Sequence, residues 1–294
     1  MQFLPTMFMA ALAACGQGGA AADVAGTVEL DIPFADVDEL QKLDLYLPEQ
    51  KNFATVVFTF GGGWHTGSRK SVTRVGEQMQ RLGFGCALVS HRLSPKDKFP
   101  AQAEDLAAAF AWVKTKIEAK GGDPKRVVLM GHSSGAHLSL LLATDETYLA
   151  KYGLSPKDIA GVVGLSTPVD LEPRDDRRGF GDALMAGKGA DVFSRDAAIM
   201  RAASPTQHVS EDLPPTLLIV GERDFPTLER DALTFAEKAG KANRVVTTFV
   251  AKGCDHMGVV RSLLEDDSTV RDQVLTFLAS LGKDATSDRQ PKTR

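Results

Sequence analysis

The chain has 294 residues, 43% of them hydrophobic, and a formal net charge of −4. That is ample apolar material for a sizeable core, in one large domain or two small ones, and the mildly acidic balance argues against a nucleic-acid partner, which would need a basic patch or stripe. The three cysteines, Cys15, Cys86 and Cys254, are too few for a disulfide scaffold, and none has metal-site spacing.

Residues 1–25 are set apart from the rest. "MQFLPTMFMAALAACGQGGAAAD" carries an apolar run too short to span a bilayer as a helix. The run closes on Leu12-Ala13-Ala14-Cys15 and a Gly/Ala-rich linker. This resembles a bacterial lipoprotein signal, although no Lys or Arg precedes the apolar run. Cleavage before Cys15 is expected, with lipid on its sulfur and export to the periplasm or outer membrane. Membrane contact would then run only through that anchor. A plain secretory signal or a mis-assigned start codon is the alternative.

From Val28 onward strands and helices alternate. "TVELDI" (27–32) and "KLDLYL" (42–47) read as early strands. "ATVVFTF" (54–60) is apolar without alternation, as in a strand covered on both faces. "VTRVGEQMQRL" (72–82) reads as a modest amphipathic helix, and "GFGCALVSHRL" (83–93) contains the next strand. In 100–122, Ala103, Leu106, Ala107, Phe110, Val113 and Ile117 share one helical face. "RVVLM" (126–130) is a strand and "GAHLSLLLAT" (135–144) a helix. Three more buried strands are expected at 159–166, 215–221 and 244–250, with helical stretches at 228–241 and 258–282. Residues 283–294 read as a solvated tail. The pattern predicts an α/β fold, a mostly parallel sheet of about eight strands with helices on both faces, spanning residues 26–282.

The junction of strand 126–130 and helix 135–144 carries Gly131-His132-Ser133-Ser134-Gly135. A sharp strand-to-helix turn brings the residues two before and two after its apex against neighbouring backbone. Glycine at both places removes side chains that would collide, and the apex hydroxyl is presented outward. The helix that follows points its N-terminus at the same spot, which suits a developing negative charge. Ser133 is therefore the candidate nucleophile.

A serine hydroxyl needs a base, and the base needs an orienting acid. In such a sheet these stand at the carboxyl ends of later strands, in the order Ser, Asp, His. Asp224 follows "PTLLIVG", with Glu222 the runner-up, and His256 follows the last strand. Of the 6 histidines, only His256 has the right place in order and topology. His132 fills the free position of the turn motif, and His137 is expected to pack in the helix. An oxyanion needs donors. Ser134 N–H is one, and the three glycines of "FGGGWHTGS" let main-chain N–H groups approach a ligand, with Gly62 and Gly63 the candidates. The Gly-Lys-Ser/Thr of a phosphate loop is absent. Trp64, His65, Phe180, Phe225 and Met257 are candidate pocket walls.

With "KLDLYLP", "FGGGWHTGS", "SHRLSP", "FPAQAEDLAAAFAWV", "GDPKRVVLMGHSSGAHL", "ASPTQHVSEDLPPTLLIVGERD" and "CDHM" in place, residues 30–280 resemble the α/β-hydrolase fold. The closest pattern is the bacterial carboxylesterase branch that contains feruloyl-esterase-like and acetyl-esterase-like proteins. The resemblance implies Ser133, Asp224 and His256 as triad and Gly62, Gly63 and Ser134 as oxyanion donors. It implies hydrolysis of small or medium carboxylic esters through an acyl-enzyme, with a small-molecule ester as partner and neither cofactor nor metal. Arylformamidase-type amide hydrolysis is the enzymatic alternative, and a catalytically inactive binding protein the non-enzymatic one. Two positions depart from the family pattern. Phe60 replaces the histidine that usually opens the glycine loop, and His91 replaces the tyrosine or asparagine before "RLSP". Residues 171–203 fall after the sixth strand, where such folds insert a lid; a solvated helical insertion is the alternative. The family's strand order also separates Cys86 from Cys254 by about five strand positions, roughly 24 Å, so two free thiols are expected.

Overall fold

The computed structural model describes residues 26–172, 189–194 and 196–281. Eight strands form one sheet in the order β1-β2-β4-β3-β5-β6-β7-β8. They are β1 (Gly26–Pro33), β2 (Lys42–Pro48), β3 (Phe53–Thr59), β4 (Gly85–Val89), β5 (Gly122–His132), β6 (Gly161–Leu165), β7 (Thr216–Arg223) and β8 (Val246–Asp255). β1 pairs antiparallel with β2, and β2 antiparallel with β4. Every later pairing is parallel.

The sheet is covered on both faces. Val57, Ala87, Leu129 and Leu218 pack one way, against α2 (Ala101–Lys116), α3 (Ser134–Thr144) and the helix Leu228–Lys241. Val56, Phe58, Leu88 and Met130 point the other way, against α1 (Thr73–Arg81) and the helices His256–Ser262 and Thr269–Ser280. Successive residues of a strand face opposite sides, so a strand buried on both must be apolar throughout. That is why β3, β4 and β6 read as unbroken apolar runs.

Two expectations need correction. The 244–250 strand is β8, which among the described residues lies at the edge of the sheet, and most of it is half-buried or exposed. The 258–282 stretch is two helices, broken at Leu263–Ser268, where the Ser268 side chain accepts from Val270 N–H and caps the second. Cys86 lies in β4 and Cys254 in β8, five positions apart in the strand order, and both are free thiols. Cys15, Phe180 and the tail 283–294 lie outside the described residues.

The described end of the 171–203 insertion is partly packed: Asp191, residues 196–198, Arg201 and Ala202 are exposed, whereas Met200 and Ala203 are buried. Val192 and Phe193 are buried in the main core. Phe99 N–H donates to Val192 O (3.1 Å), and Ser94 Oγ donates to Asp191 O (2.8 Å). These bonds tie the end of the insertion to the loop between β4 and α2.

Candidate active site

Parallel strands end together, so loops distant in sequence converge at one edge of the sheet. At that edge β5 turns into α3. Ser133 sits at the turn with φ 53° and ψ −121°, a positive-φ conformation that a non-glycine residue adopts only under constraint. Its N–H donates to Leu165 O of β6 (2.8 Å), which pins the apex to the neighbouring strand. A Cβ at Gly131 would fall 2.4 Å from the Gly135 carbonyl carbon, and one at Gly135 would fall 2.2 Å from Thr59 O. The flanking glycines are there because the backbone passes too close for a side chain.

Ser133 Oγ lies 3.0 Å from His256 Nε2, and His256 Nδ1 lies 2.6 Å from Asp224 Oδ1. Hydroxyl, imidazole and carboxylate, drawn from the ends of β5, β8 and β7, thus form one hydrogen-bonded chain. His256 opens the helix His256–Ser262, where Asp255 caps by accepting from Gly258 N–H (2.6 Å). Asp224 is held on both oxygens. Oδ1 also accepts from Phe225 N–H (2.8 Å), while Oδ2 accepts from Ser166 Oγ–H (2.5 Å) and Gly221 N–H (3.1 Å). Burial works against its ionisation. The bonds from His256, Ser166 and Phe225 prevail, and the carboxyl lies below its ordinary pKa. Glu222 points elsewhere: it is exposed, accepting from Lys252 Nζ (2.8 Å) and Gly253 N–H (2.9 Å).

Ser166 has no counterpart in the sequence reading. It stands just past β6, wholly buried, with φ 54°. A serine after an apolar strand is unremarkable in one dimension. Only the strand order, which sets β6 between β5 and β7, brings it onto Asp224.

The glycine loop follows β3 at the same edge. Gly62 has φ 147° and its carbonyl accepts from Thr66 N–H (3.2 Å), so residues 62–66 close into a tight turn. A Cβ at Gly62 would sit 2.0 Å from Thr66 O, so the turn itself demands glycine. Ser134 is the first residue of α3, where an N–H has no carbonyl partner within the helix.

The two departures from the family pattern touch one another. The rings of Phe60 and His91 stack with centroids 4.8 Å apart and planes 11° from parallel. His91 is buried, and burial lowers its pKa. The loop is thus braced by an aromatic stack where a polar side chain was expected.

Of the candidate pocket walls, Trp64 is a correction. It is only 2% exposed, and its ring packs edge-on against His137 and Phe193. Its Nε1–H donates to His137 Nδ1 (3.2 Å), and His137 Nε2–H in turn donates to Ala203 O (2.7 Å). Trp64 has φ 63°, and this backbone turns its large ring inward, where it anchors the glycine loop to α3. Phe225 is exposed and lies against the His256 ring, centroids 4.4 Å apart. Met257 is half-buried against the core of the helix 256–262 face, and His65 lies beside Gly63.

The BD-FAE family profile matches residues 43–238, about two thirds of the sequence and most of the sheet. The chain belongs to the BD-FAE family. Esterase LipC of Mycobacterium tuberculosis is 30% identical over 217 residues, covering 70% of this chain and 54% of LipC. Isoprenylcysteine alpha-carbonyl methylesterase ICME of Arabidopsis thaliana is 28% identical, covering 67% of this chain and 49% of its own length. This BD-FAE chain thus spans about half the length of the curated relatives it matches. Among solved structures, a truncated carbohydrate esterase from gut microbiota superposes with TM-score 0.75 at 23% identity, covering 90% of this chain and all of that one. Esterase B of Lactobacillus rhamnosis gives TM-score 0.73 at 21% identity, covering 87% of this chain and 85% of its own. The fold is that of the α/β-hydrolases.

Proposed function

We propose that this BD-FAE protein is a serine carboxylesterase acting on esters of small or medium size. The observation that carries the reading is the unbroken chain from Ser133 Oγ through His256 to Asp224, 3.0 and 2.6 Å long at its two links. The names of its relatives, esterases and a methylesterase, agree with it.

In this reading His256 Nε2 takes the Ser133 proton as Oγ attacks the ester carbonyl carbon. The carbonyl electron pair moves onto oxygen, where Gly62, Gly63 and Ser134 N–H groups receive it. Each such donor lowers the barrier by about 2.7–4 kcal/mol. Collapse breaks the ester C–O bond, and the alkoxide leaves with the proton from His256. Water then attacks the acyl-Ser133 carbonyl as His256 takes one of its protons. The acid departs and Oγ regains its hydrogen. Asp224 holds Nδ1–H throughout, which keeps Nε2 free to accept.

The test is covalent labelling with a fluorophosphonate, beside a panel of nitrophenyl esters of increasing acyl length, on wild type and Ser133→Ala. Wild type should label and hydrolyse, and Ser133→Ala should do neither. A wild-type protein that does neither overturns the proposal. We also infer, from residues 1–25 alone, that the protein is exported and lipidated at Cys15. Palmitate incorporation lost in Cys15→Ala is the corresponding measurement.

A further inference from the structure

The turn motif leaves the residue before the serine open, and this chain places a histidine there. That side chain is not idle. His132 is only 5% exposed, and a buried imidazole is costly unless its polar atoms are engaged. Its Nε2–H donates to the carbonyl oxygen of His256 (2.9 Å), across 124 residues of sequence. The rings of His132 and His256 lie 4.8 Å apart. On its other edge, a Cβ at Gly61 would fall 2.8 Å from His132 Nδ1, so the glycine loop runs directly against the imidazole. One ring therefore meets three loops of the site: it is covalently next to Ser133, hydrogen-bonded to the main chain of His256, and packed on the glycine loop.

We propose that His132 is a positioning residue that sets the His256 main chain and the glycine loop in register with Ser133. The inference rests on the esterase reading above. Asp224 orients the His256 ring, and the His132 bond adds a side-chain constraint on the His256 main chain at the start of its helix. An aliphatic side chain of similar size would fill the space and leave the His256 carbonyl without this donor. The geometry also requires a neutral ring, since a cation 4.8 Å from His256 would oppose the imidazolium formed when Ser133 gives up its proton. Burial, with His256 beside it, pushes the His132 pKa down to about 3, and the charged or titratable groups that bear on it are His256 and Asp224.

His132→Leu removes the donor, and His132→Gln restores an N–H at a similar reach. With nitrophenyl acetate, His132→Leu should lose about 10- to 100-fold in kcat with KM within about twofold, as expected for a misplaced base. His132→Gln should recover most of that loss. Equal losses in both variants, or a His132→Leu kcat within about twofold of wild type, would overturn the proposal. Should His132→Leu fail to fold, the wild-type protein still decides the matter through ¹⁵N-histidine NMR. The His132 ring should show the neutral Nε2–H tautomer from pH 8 to pH 5, and a protonated ring or an Nδ1–H tautomer in that range refutes it. A wild-type protein inert to both ester and fluorophosphonate would instead sink the esterase reading, leaving the NMR result to speak for His132 alone.

Discussion

The buried histidines make folding stability depend steeply on pH. Burial holds the His137 pKa down to about 4, and burial together with His256 holds His132 down to about 3. In the unfolded chain both titrate near 6.5. As pH falls below that, the unfolded state takes up protons that the folded state refuses. Stability is therefore fully present above about pH 6.5 and is lost progressively toward the folded values. At pH 5 each group costs about 2 kcal/mol, so the two together cost about 4 kcal/mol of a typical 5–15. His91, also lowered by burial, adds to this in the same direction. The structure shows why His137 resists protonation: Nε2–H is committed to Ala203 O, and a proton on Nδ1 would face the Trp64 Nε1–H. Urea unfolding at pH 8, 7, 6 and 5 measures the effect, with a falling midpoint expected. His137→Gln removes one titrating group, and its curve should flatten by about 2 kcal/mol between pH 8 and pH 5. A wild-type midpoint that is level over this range, or a His137→Gln slope equal to wild type, refutes the reasoning.

Three further outcomes follow from the site. Asp224→Asn should leave the fold intact by circular dichroism but lower kcat by about 10⁴-fold, because an amide no longer selects the His256 tautomer with Nε2 open; near-normal turnover would remove Asp224 from its role. Ser166→Ala takes one donor from a buried carboxylate, which retains Gly221, Phe225 and His256. A loss of about 1.5–3 kcal/mol in urea at pH 7 is expected, and an unchanged midpoint would count against it. Gly135→Ala drives a Cβ to 2.2 Å from Thr59 O and 2.4 Å from Phe60 O, both main chain. It should cost about 1–3 kcal/mol or more, with Ser133 labelling slowed; a variant as stable and reactive as wild type would mean the turn has room to spare.

Much of this architecture can be read along one dimension. The apolar runs of β3, β4 and β6 mark strands covered on both faces, and the glycines around Ser133 mark a turn too tight for side chains. The order of Ser133, Asp224 and His256 follows from strands that end at one edge, since each loop can be assigned to its strand without coordinates. What the amino-acid order does not contain is distance between strands. Ser166 joins Asp224 because β6 lies between β5 and β7, and a local reading of residues 159–166 shows only a strand ending in serine. Trp64 looks like a pocket wall beside the glycines, yet its left-handed backbone turns the ring into the core, onto His137. Phe60 and His91 appear as two separate departures from a pattern, and only the fold stacks them on each other. Local sequence dictates hydrogen-bonding period, turn chemistry and order along the chain. Partners brought together by neighbouring strands, and the direction of a side chain at a positive φ, are decided by the packing of the whole sheet.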